Sequence, residues 1–147
     1  MDVRILVVDG FAAVARAVSH MLERRGYSVV VTRTAEEAGR QPGRFDCGVF
    51  AEHLPDGSGI SLAGWLLAED RVRGVVFFGD SIKEDVRLRA SNLGSFVHKT
   101  QGIHELVKVV GEMLSELDAA KQAVGAENVA RLRLRQEART GPRRRQR

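Results

Sequence analysis

The segment Glu52-His53-Leu54-Pro55-Asp56-Gly57-Ser58-Gly59 decides how this chain of 147 residues is interpreted. It lies between an apolar run at residues 45–50, a predicted strand, and an apolar helical pattern at residues 60–68. Its proline, aspartate and glycines favour a turn. The segment therefore predicts a strand-to-helix connection, and the residues at the ends of the strands around it determine the chemistry available to the protein.

Five strand patterns alternate with five helix patterns along the chain. The run from Val3 to Val8 is continuously apolar apart from Arg4, which is typical of a strand buried on both faces of a parallel sheet. The alternation predicts right-handed crossovers and an α/β fold with a doubly wound, five-stranded parallel sheet. The predicted strands are residues 3–8, 27–32, 45–50, 74–78 and 95–98; the predicted helices are residues 11–25, a short helix opened by the capping box Thr34-Ala35-Glu36-Glu37, and residues 60–68, 83–92 and 103–117.

Composition indicates one folded domain. With 44% hydrophobic residues the chain can bury a core, and no apolar run reaches the roughly 18 residues of a membrane span. The first residues, Met1 to Leu6, lack the basic lead and the cleavage site of a signal peptide. The single cysteine, Cys47, lies in an apolar run without a partner. We therefore expect a cytoplasmic protein whose cysteine is reduced and buried.

The net charge of +4 is distributed unevenly. Residues 119–147 contain nine basic and two acidic side chains, a net charge of +7, which leaves −3 for residues 1–118. We predict a globular domain over residues 1–118 and a helical extension with an arginine-rich tail over residues 119–147. Clustered arginines suit phosphate or acidic protein partners, although many such runs are solvated, unstructured ends. The arginines of the tail are Arg131, Arg133, Arg135, Arg139, Arg143, Arg144, Arg145 and Arg147.

The order of elements and the loop after the third strand resemble the receiver domains of response regulators over about residues 2–117. The loop Leu54-Pro55-Asp56-Gly57-Ser58-Gly59 and the register of Lys99 support this resemblance independently. It implies a flavodoxin-like sheet with strand order 2-1-3-4-5. It also implies a pocket at the C-terminal strand ends, where receivers bind Mg²⁺ and phosphorylate an aspartate. Asp9 matches the first of the acids that hold the metal in that family.

Three positions of the implied pocket depart from the family's pattern. Gly10 stands where a second acid belongs, Ala51 where the phosphoacceptor aspartate belongs, and Gly79 where a hydroxyl residue belongs. Mg²⁺ prefers several carboxylate and water ligands, and phosphoryl transfer needs an attacking oxygen together with a metal and a lysine. Of the residues expected in this pocket, only Asp9 and Lys99 match the pattern of the family. The resemblance thus implies a degenerate receiver, with no enzyme activity, catalytic residue, cofactor or metal site.

A displaced phosphoacceptor is an alternative. Glu52 lies one residue beyond the acceptor position, but side chains alternate along a strand, so we expect Glu52 to face away from the pocket. Asp56 is better explained as a turn residue. His53 and His98 flank the same end of the sheet, but they show no ligand-pair spacing, and we predict no zinc site.

The outer face of the fourth helix, the fifth strand and the fifth helix is the predicted partner-binding face. Phe96 matches the aromatic switch position of the family, and without a hydroxyl at Gly79 we expect it in a single rotamer. Trp65 is a second candidate for a partner contact because tryptophan is common at binding hot spots, but packing on the sheet is favoured. The residues assigned to the partner-binding face are Arg87, Arg89, Phe96 and His104.

The apolar pattern of the fifth helix continues past the domain with heptad spacing. Packing on the sheet explains its first four positions, and the last two predict a short coiled coil that would join two copies of the chain. Gly125 would weaken this extension by about 1 kcal/mol. The positions are Leu106, Val110, Met113, Leu117, Ala120 and Val124.

Two functions from different classes follow. The first is a non-phosphorylatable receiver that serves as a protein–protein interaction module in bacterial two-component signal transduction, with a signalling or motility protein or a second copy as partner. The second is a dimeric, nucleic-acid-associated regulator whose arginine tail binds backbone phosphates. No aromatic residue follows Phe96, so base stacking is not expected. A phosphorelay receiver with a displaced acceptor is a third hypothesis.

Overall fold

The computed structural model describes residues 2–81 and 83–140, and for Asn128 and residues 135–140 it describes the backbone alone. Five strands form one parallel sheet, and two very short strands form a separate antiparallel hairpin. The strands are β1 (Arg4–Val8), β2 (Ser28–Thr32), β3 (Cys47–Phe50), β4 (His53–Leu54), β5 (Gly57–Ser58), β6 (Val75–Gly79) and β7 (Ser95–His98).

The large sheet has the order β2-β1-β3-β6-β7. Without the hairpin strands β4 and β5, this is the predicted order 2-1-3-4-5, so the predicted flavodoxin-like fold is confirmed. The hairpin itself was not predicted, because strands of two residues are too short to show an alternating pattern. It lies within the turn segment that follows β3.

The helices alternate with the strands of the sheet. Their predicted bounds agree within two residues, an ordinary difference for helix ends. The fifth helix continues through residue 140, so the predicted helical extension is present and is continuous with the helix predicted at residues 103–117. The helices are α1 (Ala12–Arg24), α2 (Ala35–Arg40), α3 (Gly59–Ala68), α4 (Glu84–Leu93) and α5 (Gly102–Thr140), with a 3₁₀ turn at Lys99–Gln101.

Two apolar layers cover the two faces of the sheet. Every residue of β3 and β6 is buried, as expected for central strands of a parallel sheet. Leu6, Phe50 and Phe77 pack on one face with residues of α3, and Val7 and Val49 pack on the other with residues of α1 and α5. The C-terminal ends of the buried strands are thereby fixed side by side, which positions the candidate pocket.

The chain divides into two units, Met1–Leu114 and Ser115–Arg147. The first contains the sheet. The described part of the second is helical, and its described side chains from Asp118 onward are exposed. Among the described residues, no helix is both long enough and apolar enough to cross a membrane.

Candidate functional site

The pocket predicted from the sequence lies where four parallel strands end. The backbone N–H of Ala51 donates to the carbonyl of Val8 at 2.9 Å, which aligns the ends of β3 and β1. Gly79 is the last residue of β6 and pairs with His98, the residue before Lys99. The fold thus brings the ends that carry Asp9, Gly10, Ala51, Gly79 and Lys99 to one edge of the sheet.

The phosphoacceptor position is apolar. Ala51 is 5% exposed and belongs to the apolar layer on the α3 side of the sheet. Asp9 is also buried, and its Oδ1 accepts a hydrogen bond of 2.9 Å from the backbone N–H of Phe11, immediately before α1. The single acid that matches the family is therefore engaged in holding the start of a helix.

The second acid position is closed by Pro55. A Cβ atom on Gly10 would lie 2.9 Å from Cδ and 3.1 Å from Cγ of the Pro55 ring. Distances this short require the proline to move, so a side chain at position 10 and the present loop exclude each other. Arg33 fixes the same segment, because its guanidinium donates two hydrogen bonds to the carbonyl of Gly10.

The hydroxyl position is closed by Glu52. A Cβ atom on Gly79 would lie 2.7 Å from both Cγ and Cδ of Glu52, and its closest contact would be Oε1. The expectation that Glu52 faces away from this site is wrong. Strand β3 ends at Phe50, so the alternation of side chains does not extend to Glu52, and the chain bends there.

Lys99 lies at the pocket edge but serves a different contact. Its Nζ is 5.2 Å from the ring centroid of Phe11, within the range of a cation–π interaction. Within residues 2–81 and 83–140, no ion pair joins Lys99 to Asp9. The side chain of Lys99 therefore contacts the aromatic ring of Phe11 and is not paired with Asp9.

Asp56, the other candidate acceptor, caps α2. Its two carboxylate oxygens accept hydrogen bonds from the backbone N–H groups of Ala35 and Glu36, at 2.8 and 3.0 Å. These bonds lower the pKa of the Asp56 carboxyl. Thr34 accepts from the N–H of Glu37, as the predicted capping box requires, whereas the Glu37 carboxylate returns to Arg33 instead of Thr34. Asp56 therefore connects the turn segment to a helix.

Neither His53 nor His98 belongs to a cluster of three or more potential metal ligands among the described residues. His53 is exposed on β4. His98 Nδ1 bonds to the hydroxyl of Thr100 at 2.8 Å within the 3₁₀ turn. The His98 imidazole is therefore engaged in a local hydrogen bond within the turn.

The predicted partner-binding face contains an open groove of about 820 Å³ between α4 and β7. Arg87 and Phe96 line it, with the Arg87 guanidinium carbon 5.8 Å from the Phe96 ring centroid. Arg89 and His104 are exposed but do not line the groove. The groove is also lined by Glu84, Leu88, Ser91, Gly94 and Ser95.

Trp65 does not pack on the sheet, contrary to the favoured expectation. It is 47% exposed, and Arg71 lies over its ring at 5.9 Å. A Cβ atom on Gly39 of α2 would be 3.5 Å from the indole ring. The buried face of α3 consists of other residues, including Leu62 and Leu66, so Trp65 lies at the side of α3 next to α2.

The extension and tail are described in part. Four large apolar side chains of the extension are more than half exposed, namely Val124, Val129, Leu132 and Leu134. Arg131 lies near Glu127 at 3.9 Å, and Arg133 is exposed. The side chains of Arg135 and Arg139, and all of Arg143, Arg144, Arg145 and Arg147, lie outside the described residues.

Solved structures resemble this chain, whereas no protein-family model and no curated protein matches it. A CheY-like response regulator receiver domain protein from Methanospirillum hungatei superposes with a TM-score of 0.74 at 23% identity, covering 82% of this chain and 99% of that one. The non-phosphorylated HemR receiver domain from Leptospira biflexa superposes with a TM-score of 0.70 at 27% identity, covering 78% and 95%. A fusion containing the trimeric coiled coil of yeast Spc42 superposes with a TM-score of 0.72 at 21% identity, covering 89% and 91%. The chain therefore has the fold of receiver domains.

Proposed function

We propose that this protein is a receiver-fold module of signal transduction that binds a protein partner and is not phosphorylated. Phosphoryl transfer needs an attacking oxygen in line with phosphorus and positive charge to neutralise the transferred group. The buried methyl group of Ala51 supplies no oxygen. Asp9 and Lys99 are engaged with Phe11, through its N–H and its ring respectively.

The observation that carries this proposal is the filling of the pocket by neighbouring side chains. Pro55 takes the space beside Gly10, and Glu52 takes the space beside Gly79. Three family positions have thus lost their functional groups, and at two of them the remaining space has been used for packing. This packing favours a single fixed arrangement of the pocket, as we expect for a module that acts by binding a partner.

The proposal is tested by titrating ¹⁵N-labelled protein with beryllofluoride and Mg²⁺, a non-covalent analogue of the phosphoryl group. We expect the backbone resonances of Ala51, Gly79 and Lys99 to stay unchanged, while a phosphorylatable receiver under the same conditions shows shifts. Saturable shifts at these residues would refute the proposal.

We assign partner binding to the groove between α4 and β7. Leu88 is 62% exposed there, and Arg87 lies over Phe96. Arginine is enriched at binding hot spots, and arginine and phenylalanine are both enriched in the cores of interfaces. A partner that uses the groove should bind the Arg87→Ala variant at least about tenfold more weakly. Arg89→Ala removes the same charge from the same helix outside the groove and serves as the matched control. Equal effects of both substitutions would exclude the groove.

A homodimer through the extension is part of the proposal. Most helical stability in proteins comes from packing an apolar face against another element, and exposed valine and leucine side chains on the extension are best stabilised by burial against a second helix. The structurally similar fusion contains a trimeric coiled coil, which supports self-association through a helix but does not set the number of copies at two. In this arrangement the extension joins two copies, and the receiver-fold domains remain available for partners.

Nucleic-acid binding by the tail is the second candidate function, supported by the charge of +7 over residues 119–147. Contacts to phosphates release counterions, so binding would weaken steeply with salt. A gel shift with duplex DNA at low salt should be lost on deletion of residues 131–147. No shift by the intact chain at low salt would rule this function out.

A further inference from the structure

We propose that Glu52 is an internal ligand that holds the loop between β6 and α4, and through it the groove, in one arrangement without any covalent modification. Glu52 is 4% exposed, an unusual degree of burial for a glutamate. Its Oε1 accepts a hydrogen bond of 2.8 Å from the backbone N–H of Ser81, in that loop. A carboxylate attached to the end of β3 thus fixes the chain beyond the end of β6.

The other oxygen of the same carboxylate is also removed from solvent. Oε2 of Glu52 is buried and has no hydrogen-bond partner among the described residues. Leaving a buried carboxylate oxygen unpaired is unfavourable. The Glu52 carboxylate therefore lies within the packing next to this loop, away from solvent.

Gly79 provides the space that this arrangement needs. A Cβ atom at position 79 would lie 2.7 Å from two carbon atoms of Glu52, so any other residue there would displace the carboxylate. The glycine at this position and the buried glutamate are one structural unit. The absence of a hydroxyl side chain at Gly79 leaves the space that the Glu52 carboxylate occupies.

Hydrogen bonds lead from Glu52 to the groove. Ser81, whose N–H is held by Glu52, accepts with its Oγ from the N–H of Lys83 at 3.2 Å. Lys83 is the N-cap of α4, and its carbonyl accepts from the N–H of Arg87. Arg87 lies over Phe96 in the groove. Glu52 therefore acts as a positioning residue for the first turns of α4.

The consequence for partner binding, which rests on the proposed function, is that the groove is available without a phosphorylation signal. The loop is held by a side chain that is always present. Release requires movement of Glu52, and not the removal of a phosphoryl group.

Hydrogen exchange of the Ser81 amide tests the proposal in the full chain. In Glu52→Ala we expect exchange at Ser81 to accelerate about tenfold, the change in opening equilibrium produced by loss of one ordinary hydrogen bond. Glu52→Gln retains a side-chain carbonyl and should keep most of the protection. Glu112→Ala removes an exposed glutamate from the same unit and should leave Ser81 unchanged. The amide of Val49 in the central strand reports global stability in each variant.

Gly79→Ala supplies an independent test, because its methyl group should displace Glu52. We expect it to accelerate Ser81 exchange about as much as Glu52→Ala does, and the double variant to show no further acceleration. Equal exchange at Ser81 in the wild type and Glu52→Ala would overturn the proposal, as would additive effects in the double variant. Should Glu52→Ala fail to fold, the comparison of Gly79→Ala with Glu52→Gln decides. These outcomes are separate from the beryllofluoride titration, whose failure would remove the proposed function but leave the Ser81 contact intact.

Discussion

At the scale of single residues, the pocket is defined by what has replaced the expected functional groups. The sequence predicts that the acceptor, the second acid and the hydroxyl are missing, because Ala51, Gly10 and Gly79 stand at fixed distances from Pro55 and from strand ends. It does not predict what fills the space. The positions of Pro55 and Glu52 depend on the path of the chain after β3, where the period-two rule no longer applies.

Gly10→Ala tests the contact between position 10 and the proline ring. The added methyl group would lie 2.9 Å from Pro55 Cδ, so we expect destabilisation by about 1–3 kcal/mol, as is typical of overpacking. Gly111→Ala is the matched control, because its Cβ atom would be 3.8 Å from the Tyr27 hydroxyl in a helix and should be neutral or stabilising. Urea unfolding gives both values. Equal stability of Gly10→Ala and the wild type would show that the proline does not constrain this site.

Because the thiol of Cys47 is buried, we expect the folded protein to lose stability at alkaline pH. Burial, with a smaller contribution from Asp46, raises the pKa of its thiol from 9.0 to about 12. Between these values the unfolded chain loses the proton and the folded chain retains it, so the free energy of unfolding falls as pH rises above 9, by at most about 1.4 kcal/mol per pH unit. Unfolding measured from pH 8 to pH 11 should show a smaller decline in Cys47→Ala than in the wild type. Parallel curves would contradict the buried, protonated thiol.

At the scale of elements, the turn segment after β3 connects several parts of the site. It forms the hairpin of β4 and β5, places Pro55 over Gly10, and caps α2 through Asp56. The sequence identified the segment as a turn, but the contacts with α2 join residues about twenty positions apart and have no local signature. The same limit explains why the position of Trp65 was predicted wrongly. Its neighbours on α2 depend on how two helices pack, which local sequence does not show.

Asp56 should stabilise α2 only while its carboxyl is ionised. Its two hydrogen bonds from α2 lower its pKa below 3.8, so the stabilisation is present above that pH and is lost as pH falls through the lower folded value. We expect Asp56→Ala to have a lower Tm than the wild type at pH 7, and the difference to shrink on acidification to pH 3 and below. Asp2→Ala, which removes an exposed carboxylate near the N-terminus, should show little difference at either pH. A Tm difference for Asp56→Ala that persists under acidic conditions would contradict the role of the charge.

At the scale of the whole molecule, the alternation of five strands and helices predicted a doubly wound parallel sheet, and the resemblance to receiver domains supplied the strand order. Central strands of a parallel sheet are buried on both faces, and this leaves a strong apolar signal in the sequence. The length of the last helix was less predictable, because its heptad pattern weakens at Ala120 and Gly125 while the helix continues to Thr140. The exposed apolar residues of this segment are the basis for the proposed homodimer.

Val124→Glu tests whether the extension joins two copies. A charge at an apolar position of the helical interface should shift a dimer to monomer at micromolar concentrations. Gln122→Glu adds the same charge at an exposed polar position two residues away and should have little effect. Size-exclusion chromatography with light scattering reports the mass of each. A wild type that remains monomeric at all concentrations, or a dimer unaffected by Val124→Glu, would exclude this assembly.

The central claim is that the protein cannot store a signal covalently on a carboxylate, and intact-protein mass spectrometry after incubation with acetyl phosphate and Mg²⁺ tests it most directly. We predict that the wild-type mass stays unchanged, with a phosphorylatable receiver domain modified in the same experiment as the positive control. An increase equal to one phosphoryl group, lost on treatment with hydroxylamine and mapped to Glu52, Asp56 or Asp9, would contradict the claim.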